Sequence, residues 1–410
     1  MNRALDNIYL DNNATTRVAP EVREAMEPYL HDRYGNPSSI HTFGGQVEAD
    51  VDRARQQVAE LLGCEPTEVL FTSCGTESDN TAIRSAISVH PDRRHLVTTR
   101  VEHPAVRNLC QRLARGDGPL PRYRLDEVPV DRRGQLRLPD VGNALTDDTA
   151  VVSVMWANNE TGVIYPVDKI GALCRDAGVP FHTDAVQAVG KVPMRLAELP
   201  IDMLSLSGHK LHAPKGVGAL YVRRGCRFAP WLLGGHQEGN RRGGTEAVAQ
   251  IVALGRAAEL ARGRMDQERT RVAALRDKLE RELLARCPDA QVNGDTEHRL
   301  ANTTNISFEY IEGESILLML DEHGICASSG SACTTGSLEP SHVLRAMGVP
   351  YTAAHGSIRF SLSVETTEAQ VNKVIEVLPP IVKRLRALSP FGREAGAGAA
   401  APSSAPSARE

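Results

Sequence analysis

Apolar residues fall in short dense runs through the first half of the chain: EVLFTS at 68–73, HLVTT at 95–99, TAVVSVMW at 149–156, VPFHTD at 179–184, IDMLSLS at 201–207 and GVGALYV at 216–222. Each has strand length, and several are apolar almost without a break, which predicts a sheet covered on both faces. Between several of these runs the period lengthens to that of a helix. In 44–63, Val47, Val51, Ala54, Val58 and Leu61 recur on one face at helical spacing. Strands alternating with helices predict an α/β fold with a mostly parallel sheet. Around 245–290 the pattern becomes a long helix-forming stretch, AVAQIVALGRAAELA running into TRVAALRDKLERELLA, which carries the chain from one domain to the next. Beyond it the short strands TNISFEY and SIRFSLS mix with helices, as in a smaller α+β domain. From Gly392 onward, GREAGAGAAAPSSAPSARE has neither apolar periodicity nor aromatics and is expected to be a disordered tail.

Composition narrows the partners. The chain has 410 residues, 41% hydrophobic and 24% charged, with a formal net charge of −4. That is long enough for a large core and two domains. Lys and Arg are spread rather than blocked, so a phosphate-backbone partner is not favoured. The N-terminus MNRALDNIYLDNNATT has no signal-like apolar core, and no apolar run approaches membrane-spanning length, so a cytoplasmic protein without nucleic-acid or membrane partners is expected. The eight cysteines are scattered without a C-x-x-C pair and read as reduced thiols.

Chemistry-bearing residues gather where strands end. SLSGHKLHAPKG (205–216) puts Ser207, His209 and Lys210 just past an apolar strand, where open α/β sheets bind ligands. FHTDAVQAVG (181–190) puts Asp184 at the end of the preceding strand with Gln187 three residues on. An amine able to form a Schiff base beside an anion able to keep a pyridine nitrogen protonated is the pairing that pyridoxal 5'-phosphate (PLP) requires. FTSCGTESDNTA (71–82) runs from strand through Gly75 and Thr76 into a helix, a site for a phosphate. His103 in VEHPAVRN is placed to stack on a ring and move protons, Asn158 in MWANNETG to donate an amide, and Arg359 in HGSIRFSLS to hold a carboxylate. Taken singly, each also has a structural reading: a solvated lysine, a helix-capping aspartate, a turn asparagine, a surface arginine. One cysteine stands apart. Cys333, in ASSGSACTTGSLEP, lies among small polar residues with hardly an apolar group to bury it.

The stretches YLDNNATT, YGNPSSIH, FTSCGTESDN, EHPAV, WANNETG, FHTDAVQAVGK, LSLSGHKLHAPKGVGALY, GGTE and ASSGSACTTGSLEPSHVLRAMG together resemble NifS-type cysteine desulfurases, class-V aminotransferases of the fold-type I PLP enzymes. The resemblance runs from about residue 8 to 390, and the SSGSAC form of the cysteine segment is similar to the NifS and IscS group. FTSCGTES and LSPF further resemble the nitrogen-fixation branch. It implies a large PLP-binding domain over 16–262 with a mostly parallel sheet of seven-stranded type, a smaller α+β domain made of 1–15 with 263–390, and a tail at 391–410.

The resemblance also implies roles. Lys210 is the Schiff-base lysine, Asp184 sits on the pyridine nitrogen, Gln187 on the ring oxygen, and His103 stacks on the ring. Gly75, Thr76, Ser207 and His209 hold the phosphate, joined by Thr245 from the second subunit of a homodimer. Asn158 contacts cofactor and substrate, and Arg359 takes the substrate carboxylate. Cys333 is the sulfur acceptor, swinging between pocket and an iron–sulfur scaffold protein, and a possible transient cluster ligand. The expected activity is conversion of L-cysteine to L-alanine with a persulfide on Cys333, serving nitrogenase maturation; general iron–sulfur assembly and selenocysteine lyase are the alternatives. Three positions depart from the family pattern: Cys74 stands where many relatives have Gly, Ala247 where Asn is usual, and Thr335 where Ser is common. A rival of another class, a metal scaffold using Cys326 and Cys333 with His323 and His342, lacks the short paired spacing of metal sites.

Overall fold

The computed structural model describes residues 7–119, 121–329 and 339–389. Its strands, in chain order, are β1 (Ile8–Tyr9), β2 (Val69–Thr72), β3 (His95–Thr99), β4 (Arg124–Val128), β5 (Thr149–Ser153), β6 (Phe181–Asp184), β7 (Met203–Ser207), β8 (Gly218–Val222), β9 (Ala290–Val292), β10 (Thr303–Phe308), β11 (Ile325–Cys326) and β12 (Ser357–Ser361). Seven of them form one sheet in the order β2-β8-β7-β6-β5-β3-β4. All neighbours pair parallel except β8, which runs antiparallel to both β2 and β7. Every strand but β8 therefore points its carboxyl end to the same edge.

Both faces are covered, as the unbroken apolar runs predict. Val69, Phe71, Leu204, Leu206, Ala219 and Tyr221 join one apolar cluster; Leu70, Met203, Leu220 and Val222, the alternate positions of the same strands, join another. The Thr42–Leu62 helix packs its predicted stripe, Val47, Val51, Ala54, Val58 and Leu61, inward and stops at Gly63 in the left-handed region. A third cluster surrounds the sheet β12-β10-β9 and includes Leu10 from the N-terminal segment, whose β1 pairs with β11. The helix-forming stretch is observed as Val248–Gln267 and Ala273–Arg286, joined by a π-helical turn at Glu268–Val272. No helix among the described residues is long and apolar enough to cross a membrane.

The strand missed in the large sheet is β4. Its sequence RLDEV is polar because its side chains are mostly half-exposed, unlike those of the other edge strand, β2, which are all buried, so it lacks the apolar run that marks its neighbours.

Close packing at one helix gives a test. A Cβ on Gly171 would lie 2.1 Å from the carbonyl oxygen of Pro200, whereas one on Gly142, also helical, would meet nothing within 4 Å. Gly171→Ala is expected to destabilise by about 1–3 kcal/mol and Gly142→Ala to stabilise by about 0.5–1 kcal/mol, read from urea unfolding midpoints.

Candidate active site

At the carboxyl edge of the sheet, the residues after each strand converge. β2 leads into the Gly75–Val89 helix, β3 into His103 at the head of the Pro104–Arg115 helix, and β5 into the turn containing Asn158 and Asn159. β6 ends on Asp184, and β7 on Ser207, followed by the 3-10 turn Gly208–Lys210. They surround a cavity of about 320 Å³ whose walls include Gly75, Thr76, His103, Asp184, Gln187, Ser207, His209 and Lys210, closed by Arg359 from β12.

Lys210 is the centre of this geometry. Its Nζ donates to the carbonyl oxygens of Asn13 at 2.5 Å and Ala14 at 2.7 Å. Burial, helped by the cations Arg359 and Lys191, pulls its proton affinity down to about 7 from the ordinary 10.5, with Asp11 and Asp184 opposing. Such an amine is in good part neutral near pH 7 and therefore nucleophilic. Asp184 accepts from the Val186 N–H at 2.9 Å; burial raises its pKa, and His103 and Lys210 hold it down. Asp184 thus makes this local contact while lining the cavity. His103 accepts from the Ala105 N–H at 3.2 Å, and burial lowers its pKa, so it faces the cavity as a neutral imidazole. His209 is lowered to about 4 by burial and by Lys210.

One end of the cavity is built by the N-terminus of the Gly75–Val89 helix. A Cβ at Gly75 would lie 2.7 Å from Val186 Cγ2, so a larger residue would push into the cavity wall. The carboxylate of Glu77 is taken up by the Ser73 N–H at 2.7 Å and by Arg242 at 2.8 Å, which keeps its pKa low. Cys74 caps this helix, its Sγ accepting from the Glu77 N–H at 3.4 Å, and lines the cavity. It is thus a wall residue rather than one packed into the sheet.

Four buried polar atoms of wall residues have no protein partner: Asp79 Oδ1, Gln187 Oε1, Ser207 Oγ and Arg359 Nε. Buried polar groups are seldom left so. A polar, anionic, ring-bearing ligand fits them, and PLP is such a ligand.

Two site residues were not foreseen and one is displaced. Asn158 is spent within its own turn: its Nδ2 donates to Val101 O at 3.1 Å, and its Oδ1 accepts from the Glu160 and Thr161 N–H groups. The cavity wall is lined by its neighbour Asn159, whose carbonyl accepts from Arg359 at 3.0 Å. Asp79 lies one helical turn from Gly75, a spacing that could have flagged it. Asn13, in the YLDNNATT stretch, lines the cavity and receives Lys210 Nζ on its carbonyl. Thr245 is exposed and does not line the cavity of its own chain. Cys333 and the tail at 391–410 lie outside the described residues, so the metal rival, which needs Cys333, is not reached; among the described residues no group of three or more His, Cys, Asp or Glu could hold a metal ion, and His342 Nε2 is 3.0 Å from Glu102 O.

With this geometry in hand, similarity to known proteins is decisive. The family model described as Aminotransferase class-V matches residues 8–374. The chain belongs to the class-V aminotransferases. It is 60% identical over 384 residues to the cysteine desulfurase of Trichormus azollae, covering 94% of this chain and 95% of that one. It is also 60% identical over 386 residues to the cysteine desulfurase NifS of Azotobacter vinelandii, with 94% and 95% covered. A solved NifS-like protein superposes with a TM-score of 0.86 at 36% identity, over 92% of this chain and all of that one. Class-V aminotransferases of this kind have the fold-type I architecture and depend on PLP.

The buried amine yields a pH prediction for cofactor-free protein. Because the folded pKa of Lys210 lies below its unfolded value, the unfolded chain binds more protons between about pH 7 and 10.5. Stability from this group therefore rises with pH across that window, its penalty being complete below it. Lys210→Met is expected to lose that rise, measured as the difference from wild type in urea midpoint against pH.

Proposed function

We propose that the chain is a PLP-dependent cysteine desulfurase that converts L-cysteine to L-alanine and receives the sulfur on Cys333 as a persulfide for iron–sulfur cluster assembly, nitrogenase maturation being its destination. The observation that carries this reading is Lys210, an amine of depressed proton affinity held at a strand end in one cavity with Asp184, Gln187, His103 and Arg359. The 60% identity to cysteine desulfurases selects the substrate.

Bound PLP supplies an electron sink for charge developing at the substrate Cα. Lys210 Nζ would hold the cofactor and, when free, would take up the Cα proton. Asp184 would provide the anion for the pyridine nitrogen, and Gln187 would donate an amide N–H to the ring oxygen, its Nε2 having one N–H left beyond the bond to the Asn13 carbonyl. His103, kept neutral by burial, is available to stack and to return a proton. Gly75, Thr76, Ser207 and His209 make the phosphate cradle. Arg359, fixed by Asp11 at 2.6 Å with its Nε still free of protein partners, is suited to the substrate carboxylate. The thiolate of Cys333 attacks the substrate sulfur; the S–S bond forms as Cβ–S breaks, the bonding pair remains with Cβ, and Cβ takes up a proton on the way to alanine. Asn158 shapes the turn that presents Asn159.

The chain divides, in this reading, into 16–262 and 1–15 with 263–390. A homodimer that brings Thr245 to the partner's phosphate cradle accounts for its exposure, and exposed Leu30, Tyr34, Ile40, Phe43, Trp231, Leu232 and Leu233 supply apolar surface for it. The unpaired state of all seven described cysteines agrees with a reducing, cytoplasmic setting.

The test is release of sulfide and alanine from L-cysteine with a reductant present, for wild type and Cys333→Ala, after confirming bound PLP. Wild type is expected to give equal amounts of both and the variant neither, with its cofactor absorbance intact. Sustained turnover by Cys333→Ala would remove the thiol from the mechanism. Silence of both proteins with PLP bound would reject L-cysteine and direct the assay to selenocysteine.

A further inference from the structure

Lys210 also lines a second, small cavity of about 40 Å³, together with Asn12, Lys191, His212, Arg264 and Glu268. Lys191 and Glu268 are buried, at 9% and 6% exposure, and the role of neither follows from the chemistry above. Lys191 Nζ donates to the Gln187 carbonyl at 3.1 Å. An ammonium has three N–H groups to place. Glu268 Oε1, in the same cavity, is buried without a hydrogen-bond partner, and no direct ion pair with Lys191 is formed among the described residues. Donors without acceptors and an acceptor without a donor, facing one space with room for a few water molecules, call for ordered water between them. Glu268 opens the π-helical turn Glu268–Val272, a local irregularity of the kind that re-aims side chains at functional sites.

The pair is wired to the site. Lys191 holds the Gln187 carbonyl, the Gln187 side chain donates to the Asn13 carbonyl at 3.0 Å, and the same carbonyl receives Lys210 Nζ. The charged and titratable groups acting on Lys210 are Arg359, Lys191, Asp11 and Asp184, with His103 and His209 beside it. Around the second cavity stand His212 and Arg264, with Arg271 acting on Glu268 and Glu365 on His212. Asp11 is engaged by Arg359, and Arg264 by Glu21 at 3.0 Å. Among the cations that act on Lys210, Lys191 is thus the one whose compensation depends on Glu268.

We propose that Lys191 and Glu268 clamp ordered water in this second cavity and serve as positioning residues that set the charge balance at Lys210. This rests on the reading of Lys210 as the cofactor-bearing amine. Lys191 lowers the proton affinity at Lys210, and Glu268 moderates Lys191.

The experiment is a visible-absorbance pH titration of the holoenzyme, which reports protonation of the lysine–cofactor linkage without turnover. Lys191→Met is expected to raise the proton affinity of the linkage about tenfold, since a nearby like charge is removed. Glu268→Gln is expected to lower it several-fold, Lys191→Arg to leave it at the wild-type position, and the double variant Lys191→Met with Glu268→Gln to return close to it. Equal shifts from Lys191→Met and Lys191→Arg would overturn the charge role, as would no shift from either Lys191→Met or Glu268→Gln. Lys210→Ala serves as the separate control: if it keeps the titrating absorbance, Lys210 does not carry the cofactor, and the inference falls with that assignment rather than through Lys191.

Discussion

Asn13 ties the molecule together at the site. Its backbone N–H donates to Ser361 Oγ on β12, and its Nδ2 donates to Thr303 Oγ1 on β10 and to the Asn159 carbonyl. Its Oδ1 accepts from Asn302, and its carbonyl oxygen accepts from Gln187 and Lys210. One residue of 2% exposure thus bonds the three-stranded sheet, the turn after β5, the segment after β6 and the catalytic-end lysine. In a buried setting each of those bonds is costly to leave unmade, so the relative placement of Arg359 and Lys210 is fixed by short polar contacts rather than by apolar packing alone.

That knot confines a set of charges with little water to screen them. Lys210, Arg359 and Lys191 are cations within reach of one another; Asp11, Asp184 and Glu268 answer them. Burial raises the pKa values of Asp184 and Glu268 and lowers those of Lys210 and Lys191, so two groups are poised to titrate near neutral pH, Lys210 and Glu268 both at about 7. Behind Asp184, His182 lies 2.8 Å from Ser153 Oγ and 2.9 Å from Ser205 Oγ, with Asp79 at 3.6 Å. Burial keeps His182 neutral, and Asp79 is pushed toward its protonated form by burial and by Asp184 itself. Neutral neighbours leave Asp184 as the anion that faces the cavity.

The sheet was legible because six of its strands bury their side chains: β3 was placed residue for residue, and β2, β5, β6, β7 and β8 fall inside their apolar runs. β4 was not, since its mostly half-exposed side chains carry no such signal. The site was legible through strand-end positions: the lysine, aspartate and glycine after β7, β6 and β2 project to one edge because the strands are parallel. What escaped depended on side-chain commitment. Nothing in ANNE tells which asparagine turns into its own loop and which lines the cavity; the choice is made by the Val101 carbonyl lying within reach of Asn158. Asn13 escaped because its partners lie between 146 and 348 residues away along the chain, a distance no local pattern encodes.

The same contacts reach the chain on either side of Cys333. Ser328 exchanges backbone hydrogen bonds with Arg359, at 2.7 Å and 3.3 Å. Beyond the cysteine, Ser341 donates its hydroxyl to the buried carboxylate of Glu160 while capping the short His342–Ala346 helix, and His342 meets the carbonyl of Glu102. Glu160 follows Asn159, Glu102 precedes His103, and Arg359 is the carboxylate-binding candidate. Both roots of the cysteine segment therefore stand on residues in, or next in sequence to, the cavity wall. The described residues that flank the Cys333 segment are thereby held by the same polar contacts that place Arg359 and His103 at the cavity.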